Sequence, residues 1–415
     1  MKKFESSCEF SKKLDSNDSL HHISNLFCQP LHNPIYLCGH SLGLQPKIAK
    51  KYIQNVLRDW SDFGVGGHHN GESPWFDYHT FLTEPMTKIV GSKLSETVIM
   101  NSLTTNLHLL MFSFYKPNKN KYNIIIDTPS FPSDKYAVQS QLKLHKLNPD
   151  KNLVEIDTLN NNKCRSNEEI LNDLEKNIKN AAMILFSGVN YYTGQFYDIK
   201  SIAKLANRYN CVIGLDLAHA AGNVKLNLNK WGVDFASWCG YKYLNGGPGA
   251  PSGVFVHEKY NNIEIDRLQG WWGHNRENRF DPPDKFDPLF GAEGWQLSNP
   301  PILSMAALRS SLDLFEEIGI KSIYEKSKNL TNYLEYLINS LNNNNINIIT
   351  PTQSEFRGAQ LSLQINSKNL KIDDYFKSKN IVCDFRKPNV IRIAPNAFYN
   401  SYEDIFKFVQ VLKDI

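Results

Sequence analysis

Lys242 stands in Ser237-Trp238-Cys239-Gly240-Tyr241-Lys242-Tyr243, where an apolar run that starts at Phe235 gives way to the turn cluster Leu244-Asn245-Gly246-Gly247-Pro248-Gly249. The run reads as a short buried strand, and the glycines and proline after it as loop. A lysine on a short connection at a strand exit can shed its proton when desolvated and attack a carbonyl carbon, which is Schiff-base chemistry. Such a lysine works with an electron-withdrawing ring, whose nitrogen needs an acid beside it. Val212-Ile213-Gly214-Leu215-Asp216 supplies one: a five-residue strand ending in a carboxylate, followed by Leu217-Ala218-His219. Lysines are mostly surface residues, so the pairing with Asp216 carries the reading, and Lys242 alone would not.

Other stretches put polar or aromatic residues where a ligand could sit. Thr97-Val98-Ile99-Met100 reads as a strand, and Leu103, Leu107, Leu110, Met111 and Phe114 as one face of the helix after it. Thr104-Thr105-Asn106 fills that helix's first turn, where free N–H groups and a partial positive charge suit a phosphate; a plain N-cap would use the same residues. Ile124-Ile125-Ile126-Asp127 is a strand leading to Ser130-Phe131-Pro132-Ser133-Asp134, whose aromatic could stack on a flat ring or fill the core. Ala182 to Val189 is an apolar strand with Ser187 near its C-terminal end, the end beyond which ligands bind in open α/β sheets. Gly64-Val65-Gly66-Gly67-His68-His69-Asn70-Gly71 is a loop suited to motion or close approach. Adjacent histidines in such a loop are more often solvated than functional.

These residues need a scaffold. From about residue 75 to 300, β-rich runs alternate with helical patterns, the signature of a mostly parallel sheet. Residues 200–209 read as the crossover helix feeding the Asp216 strand, and Gly253-Val254-Phe255-Val256 as a return strand. Upstream, residues 1–30 are polar with one helix, Tyr36-Leu37-Cys38 is a strand fragment running into a glycine turn, and Pro46 opens a helix that reaches Trp60. Downstream come Gly270-Trp271-Trp272-Gly273-His274, a proline-rich loop at Pro282-Pro283, and a boundary at Trp295 to Pro301. Helices then run from Ile302 to Phe315 and on to about Leu341, before the surface tract Asn342-Asn343-Asn344-Asn345. Strands near 346–349 and 359–365 and helices near 372–379 and 402–413 make a small α+β unit. The expected division is an N-terminal segment, 1–70, packing with the small domain; a large domain, 71–300; and a small C-terminal domain, 301–415.

A chain of 415 residues with 41% hydrophobic and 12% aromatic content can bury a sizeable core. A net charge of +4 without a basic run points away from nucleic acid and membrane surfaces. The twelve histidines show no metal-ligand spacing. Seven scattered cysteines without a Cys-x-x-Cys pair read as reduced thiols in the cytoplasm. The N-terminus lacks the apolar stretch of a secretory signal, and no run reaches the ~18 apolar residues of a membrane span.

In their order along the chain, Ser41-Leu42-Gly43-Leu44-Gln45-Pro46, Leu103-Thr104-Thr105-Asn106-Leu107-His108, Phe131-Pro132-Ser133-Asp134, Phe186-Ser187-Gly188-Val189, Asp216-Leu217-Ala218-His219, Tyr241-Lys242-Tyr243-Leu244-Asn245, Gly270-Trp271-Trp272-Gly273-His274 and Ser298-Asn299-Pro300-Pro301 resemble the phrases of the kynureninases. The likeness runs from about Tyr36 to the end; one departure is His40, where the family usually has Asn. The resemblance implies an α/β fold of the type-I, class-V aminotransferase-like superfamily that binds pyridoxal 5′-phosphate (PLP). Its large domain would hold a mostly parallel seven-stranded sheet flanked by helices, beside a small α+β C-terminal domain.

Carried over by position, Lys242 would bind the cofactor covalently, Asp216 would pair with its ring nitrogen, and His219 would support that contact. Leu103 and Thr104 would meet the phosphate, Phe131 would stack on the ring, and Pro132, Ser133, Asp134, Ser187, Tyr241, Trp271 and Asn299 would complete the pocket. Arg392, in Ile391-Arg392-Ile393-Ala394-Pro395, would clamp the substrate α-carboxylate, a task for which its planar fork suits it. His68, Ser298 and Asn299 would face the substrate's aromatic end. The resemblance further implies a homodimer with shared sites and no metal. Its reaction is hydrolysis of the Cβ–Cγ bond of 3-hydroxykynurenine, preferred, or kynurenine, to 3-hydroxyanthranilate or anthranilate plus alanine, in tryptophan degradation and de novo NAD synthesis. Lys242 would serve as base and Tyr241 as proton donor. The alternatives are another PLP enzyme of this fold, such as an aminotransferase or a cysteine desulfurase using Cys383, and a non-catalytic binding protein.

Overall fold

The computed structural model describes residues 4–281, 285–367 and 371–415; Pro282-Pro283 lies outside them. Seven strands form the main sheet: β1 (Thr97–Met100), β2 (Asn123–Thr128), β3 (Leu153–Asp157), β4 (Ala181–Ser187), β5 (Val212–Asp216), β6 (Phe235–Trp238) and β7 (Ser252–Val256). Their order is β1-β7-β6-β5-β4-β2-β3. The run from β6 to β3 is parallel throughout, and β7 alone runs backwards, antiparallel to both β6 and β1.

Alternation along the strands sends side chains to two cores. Ile99, Ile125, Ile184 and Phe186 face one side with Ile213, Leu215 and Trp238, while Val98, Ile124, Ile126, Met183 and Leu185 face the other. Burying each such side chain contributes roughly 1.5–3 kcal/mol. Helices cover both faces, which is why these strands are apolar almost throughout. Gly214 is required on β5 because a Cβ there would stand 2.1 Å from the Phe235 ring.

The helix expected after Pro46 begins three residues later, as α2 (Ala49–Phe63), following α1 (Cys8–Ser16). Pro46 is held in an antiparallel bridge with Phe27, flanked by bonds from Cys28 N to Gln45 O (2.9 Å) and from Lys47 N to Leu26 O (2.8 Å). The Thr97–Met100 strand feeds α3 (Leu103–Phe114), and the Phe131 loop feeds α4 (Pro132–Leu144).

The C-terminal part holds α5 (Ile302–Ile318), α6 (Ile320–Ser340) and an antiparallel sheet. Its strands are β8 (Ile346–Ile348), β9 (Leu361–Ile365), β10 (Asp384–Arg386) and β11 (Val390–Ile393), ordered β8-β9-β11-β10. β9 starts two residues later than expected, and there the backbone N–H of Ala359 donates to Asn223 Oδ1 instead of to a neighbouring strand. The last helix, α7 (Tyr402–Leu412), packs against α1: the Asp15 carboxylate of α1 accepts from the N–H groups of Tyr402 (2.7 Å) and Glu403 (2.9 Å), a capping contact supplied from the chain's other end. Among the described residues no helix is long and apolar enough to cross a membrane.

Candidate active site

Strand register puts Ser187, Asp216 and Ser237 side by side at the C-terminal ends of β4, β5 and β6. The entry of α3, the Phe131 loop and the Tyr241-Lys242 turn gather over this edge. Together they line one cavity. Leu103, Thr104, Phe131, Ser133, Asp134, Ser187, Asp216, His219, Tyr241 and Lys242, all singled out from the sequence, line it.

One end of the cavity is an anion cradle. Ser102 caps α3 in an extended conformation without a side-chain bond to the helix backbone, its Oγ lying 3.1 Å from Thr105 Oγ1, and Thr104 Oγ1 and Ser133 Oγ lie 2.8 Å apart. The free N–H groups of the first turn and these hydroxyls form a phosphate-type donor set.

The opposite wall is acidic. Asp216 Oδ1 accepts from Ala218 N at 2.7 Å. Asp134 lies beside it, and burial first, then the Asp216 carboxylate, push the Asp134 carboxyl well above the usual carboxylate range. The same causes favour a proton on Asp134, whose Oδ1 stays buried without a partner. Such an orphaned acceptor suits a ligand donor. Under this layer, Asp127 braces the edge: its carboxylate accepts from Ser187 N (2.9 Å), Ser187 Oγ (2.5 Å), Asn190 Nδ2 (3.0 Å) and the Tyr197 hydroxyl (3.1 Å).

Lys242, 9% exposed, reaches to 3.1 Å from His219 Nε2, so His219 contacts the lysine directly. Burial, then the Lys242 charge, hold the His219 ring well below its ordinary pKa, which leaves it neutral and able to accept from the ammonium. Lys242 Nζ stands 5.8 Å from the Phe131 ring centre and 5.9 Å from that of Tyr241. Burial pushes the Tyr241 phenol up, keeping its proton in place at neutral pH. The His40 ring lies 6.2 Å from that of His219, tilted 42° to it; the turn around His40 closes through Ser41 N to Cys38 O, 2.9 Å.

Six predicted residues lie outside the cavity of the single chain. Pro132 opens α4. Arg392 is buried behind Tyr191, giving Nη1 to the Tyr191 carbonyl (2.7 Å) and pairing with Asp384 (2.6 Å). His68 bonds the Val65 carbonyl (3.1 Å) and packs edge-on to Trp75. Trp271 donates to the Arg279 carbonyl (2.9 Å), and Ser298 and Asn299 are exposed ahead of α5. Conversely, Tyr191 is a cavity residue the sequence reading did not single out. Its ring meets Phe131 edge-on at 5.3 Å, and its position four residues beyond the end of β4 was the available signal. Cys383 is half-buried between short strands, and burial pushes its thiol up to about 12, the opposite of a reactive thiolate.

The donor set therefore fits PLP: a phosphate cradle, an aromatic for the ring, acids for a ring nitrogen and a lysine for an aldehyde. Comparison with known proteins agrees. Residues 47–233 match the family model for aminotransferase class I and II, and residues 323–412 that for the kynureninase C-terminal domain. Among solved structures, the cystine C–S lyase C-DES in complex with cysteine persulfide superposes with a TM-score of 0.76 at 16% identity, covering 93% of this chain and 98% of that chain. The cysteine desulfurase of Thermococcus onnurineus NA1 gives 0.73 at 18%, covering 92% and 94%. At such identities these share the fold alone. Curated relatives are far nearer: the kynureninase of Flavobacterium psychrophilum is 45% identical over 99% of this chain and 98% of its own length. That of Nematostella vectensis is 41% identical, covering 97% and 93%. The chain belongs to the kynureninase family, PLP-dependent hydrolases that cleave a carbon–carbon bond of a ketonic substrate, kynurenine.

Proposed function

We propose that the protein hydrolyses the Cβ–Cγ bond of 3-hydroxykynurenine in preference to kynurenine, releasing 3-hydroxyanthranilate or anthranilate and alanine in tryptophan degradation and de novo NAD synthesis. The observation that carries this reading is the convergence of Lys242, Asp216 and Asp134 on one buried cavity in a chain 45% identical to kynureninase. When bound, PLP supplies an electron sink for the charge left at Cα.

The chain's own residues do the rest. Lys242 would hold the cofactor's carbonyl carbon and is placed to take the Cα proton; His219 orients the lysine. Asp216 would keep a proton on the ring nitrogen, with Asp134 beside it. Leu103, Thr104 and Ser133 would hold the phosphate, and Phe131 would stack on the ring. Water adds at the γ-carbonyl, and Tyr241, held protonated, gives a proton to the carbon fragment that leaves as alanine. Arg392 binds the α-carboxylate.

His68, Trp271, Ser298 and Asn299 act across a homodimer interface. That proposal is supported by their distance from the single-chain cavity and by the exposed apolar residues around them, Trp60 (61%), Val65 (85%) and Phe280 (70%). Seven unpaired cysteines favour a reducing, cytoplasmic setting. The division at residues 70 and 300 is proposed on the same footing. Following anthranilate-type fluorescence and alanine release from each kynurenine tests the reading; absence of both products from cofactor-loaded protein contradicts it.

A further inference from the structure

A second cavity, about 650 Å³, opens where the segment after β5 meets α6 and the 354–358 loop. Phe196, Val224 and Tyr324 give it apolar walls, and Lys225, Lys328 and Arg357 give it cationic ones. None of these residues belongs to the active-site cavity.

Its donors lack acceptors. The Arg357 side chain is 2% exposed; its terminal nitrogens bond the Pro351 carbonyl (3.0 Å), Asn332 Oδ1 (2.9 Å) and Glu335 Oε2 (2.7 Å), but Nε is buried with no partner. The Tyr324 hydroxyl is buried with no partner as well. The ion pairs nearest by sequence are Lys326–Asp18 and Arg357–Glu335; among the described residues Lys225 and Lys328 join none. The single acid on the wall, Glu355, is exposed. Buried donors are satisfied in nearly every native structure, so two orphans beside unpaired cations point to a missing acceptor.

We infer that this cavity binds a small organic carboxylate. An orphaned N–H and an orphaned O–H can each serve one carboxylate oxygen, the lysines supply long-range attraction, and the apolar walls need an apolar body that inorganic phosphate lacks. One contact between the site and the catalytic edge runs through Asn223. Asn223, on its wall, donates to the His219 carbonyl (2.8 Å) and accepts from Ala359 N (2.8 Å). The seam is close-packed, since a Cβ on Gly358 would come within 2.2 Å of Asn223.

The test is fluorine NMR of 4-fluorobenzoate titrated into the PLP-loaded protein. The expected result is a bound resonance that survives saturation of the active site and weakens about tenfold or more in Lys225→Glu/Lys328→Glu, whose replaced side chains are exposed and whose catalytic cavity is unaltered. Arg357→Lys, which keeps the charge and loses Nε, weakens it too. The inference is overturned if no such resonance exists, if the double variant binds as the parent does, or if inorganic phosphate displaces the probe at equal concentration.

Discussion

Asp384 grips Arg392 through both carboxylate oxygens, at 2.6 Å to Nη2 and 3.3 Å to Nε. The two residues face each other across the β10–β11 pairing. A guanidinium has five N–H groups. Asp384 takes two and the Tyr191 carbonyl a third, which leaves one on each terminal nitrogen in a fixed orientation. Arg392→Lys keeps the charge and loses this arrangement. It should raise the Michaelis constant about tenfold or more, from the roughly 1.5–3 kcal/mol of a charge-assisted bond, while turnover at saturation and the visible band of the bound cofactor change much less. An unchanged Michaelis constant contradicts the carboxylate role.

The raised pKa of Asp134 has a consequence for stability. A folded value above the ordinary 3.8 means the folded chain holds this proton more tightly than the unfolded chain does. That advantage is complete below 3.8 and is lost as pH climbs through the folded value. Asp134→Asn mimics the protonated form. In cofactor-free protein its melting temperature, relative to the parent, should gain steadily as pH rises above about 4. A constant difference across that range would mean that Asp134 ionises normally in the fold.

Asp216→Asn preserves the bond from Ala218 N and removes the charge. Cofactor should remain bound, while turnover falls by orders of magnitude, since charge placed at a reacting ring supplies several kcal/mol. Near-normal turnover in this variant would show that another group holds the ring nitrogen's proton.

The proposed substrate preference rests on His68, Ser298 and Asn299. A ring hydroxyl buried without a partner costs roughly 1–3 kcal/mol, and a pocket built to bond it disfavours the analogue that lacks it. The specificity constant should be higher for 3-hydroxykynurenine than for kynurenine. Replacing His68 by Phe and Asn299 by Thr together should shrink or invert the ratio without loss of cofactor. Equal constants in the unmodified protein would show that these side chains do not read the hydroxyl.

The core of the site is legible in the sequence because its signals are local. Asp216 and Ser187 end apolar runs, Phe131 follows one within a few residues, and Lys242 sits between a strand and a glycine cluster. Each such position projects beyond the sheet edge whatever the rest of the chain does. What the sequence hides depends on distant contacts. Asp127 looks like any strand-end acid until Asn190 and Tyr197 close on it. Tyr191 takes its place in the wall where Arg392 and Gln360, both distant in sequence, donate to its carbonyl. The late starts of α2 and β9 have the same origin: Pro46 and Ala359 carry element-like sequence but their backbone is engaged by partners outside their own segment.

The central claim is that Lys242 carries the cofactor. Borohydride reduction of the PLP-loaded protein, followed by proteolysis and mass mapping, tests it most directly. The account predicts a single phosphopyridoxyl adduct on the peptide containing Tyr241-Lys242-Tyr243, and its disappearance, with the visible band and all kynurenine cleavage, in Lys242→Ala. An adduct on any other lysine, or cleavage that survives the replacement, would contradict it.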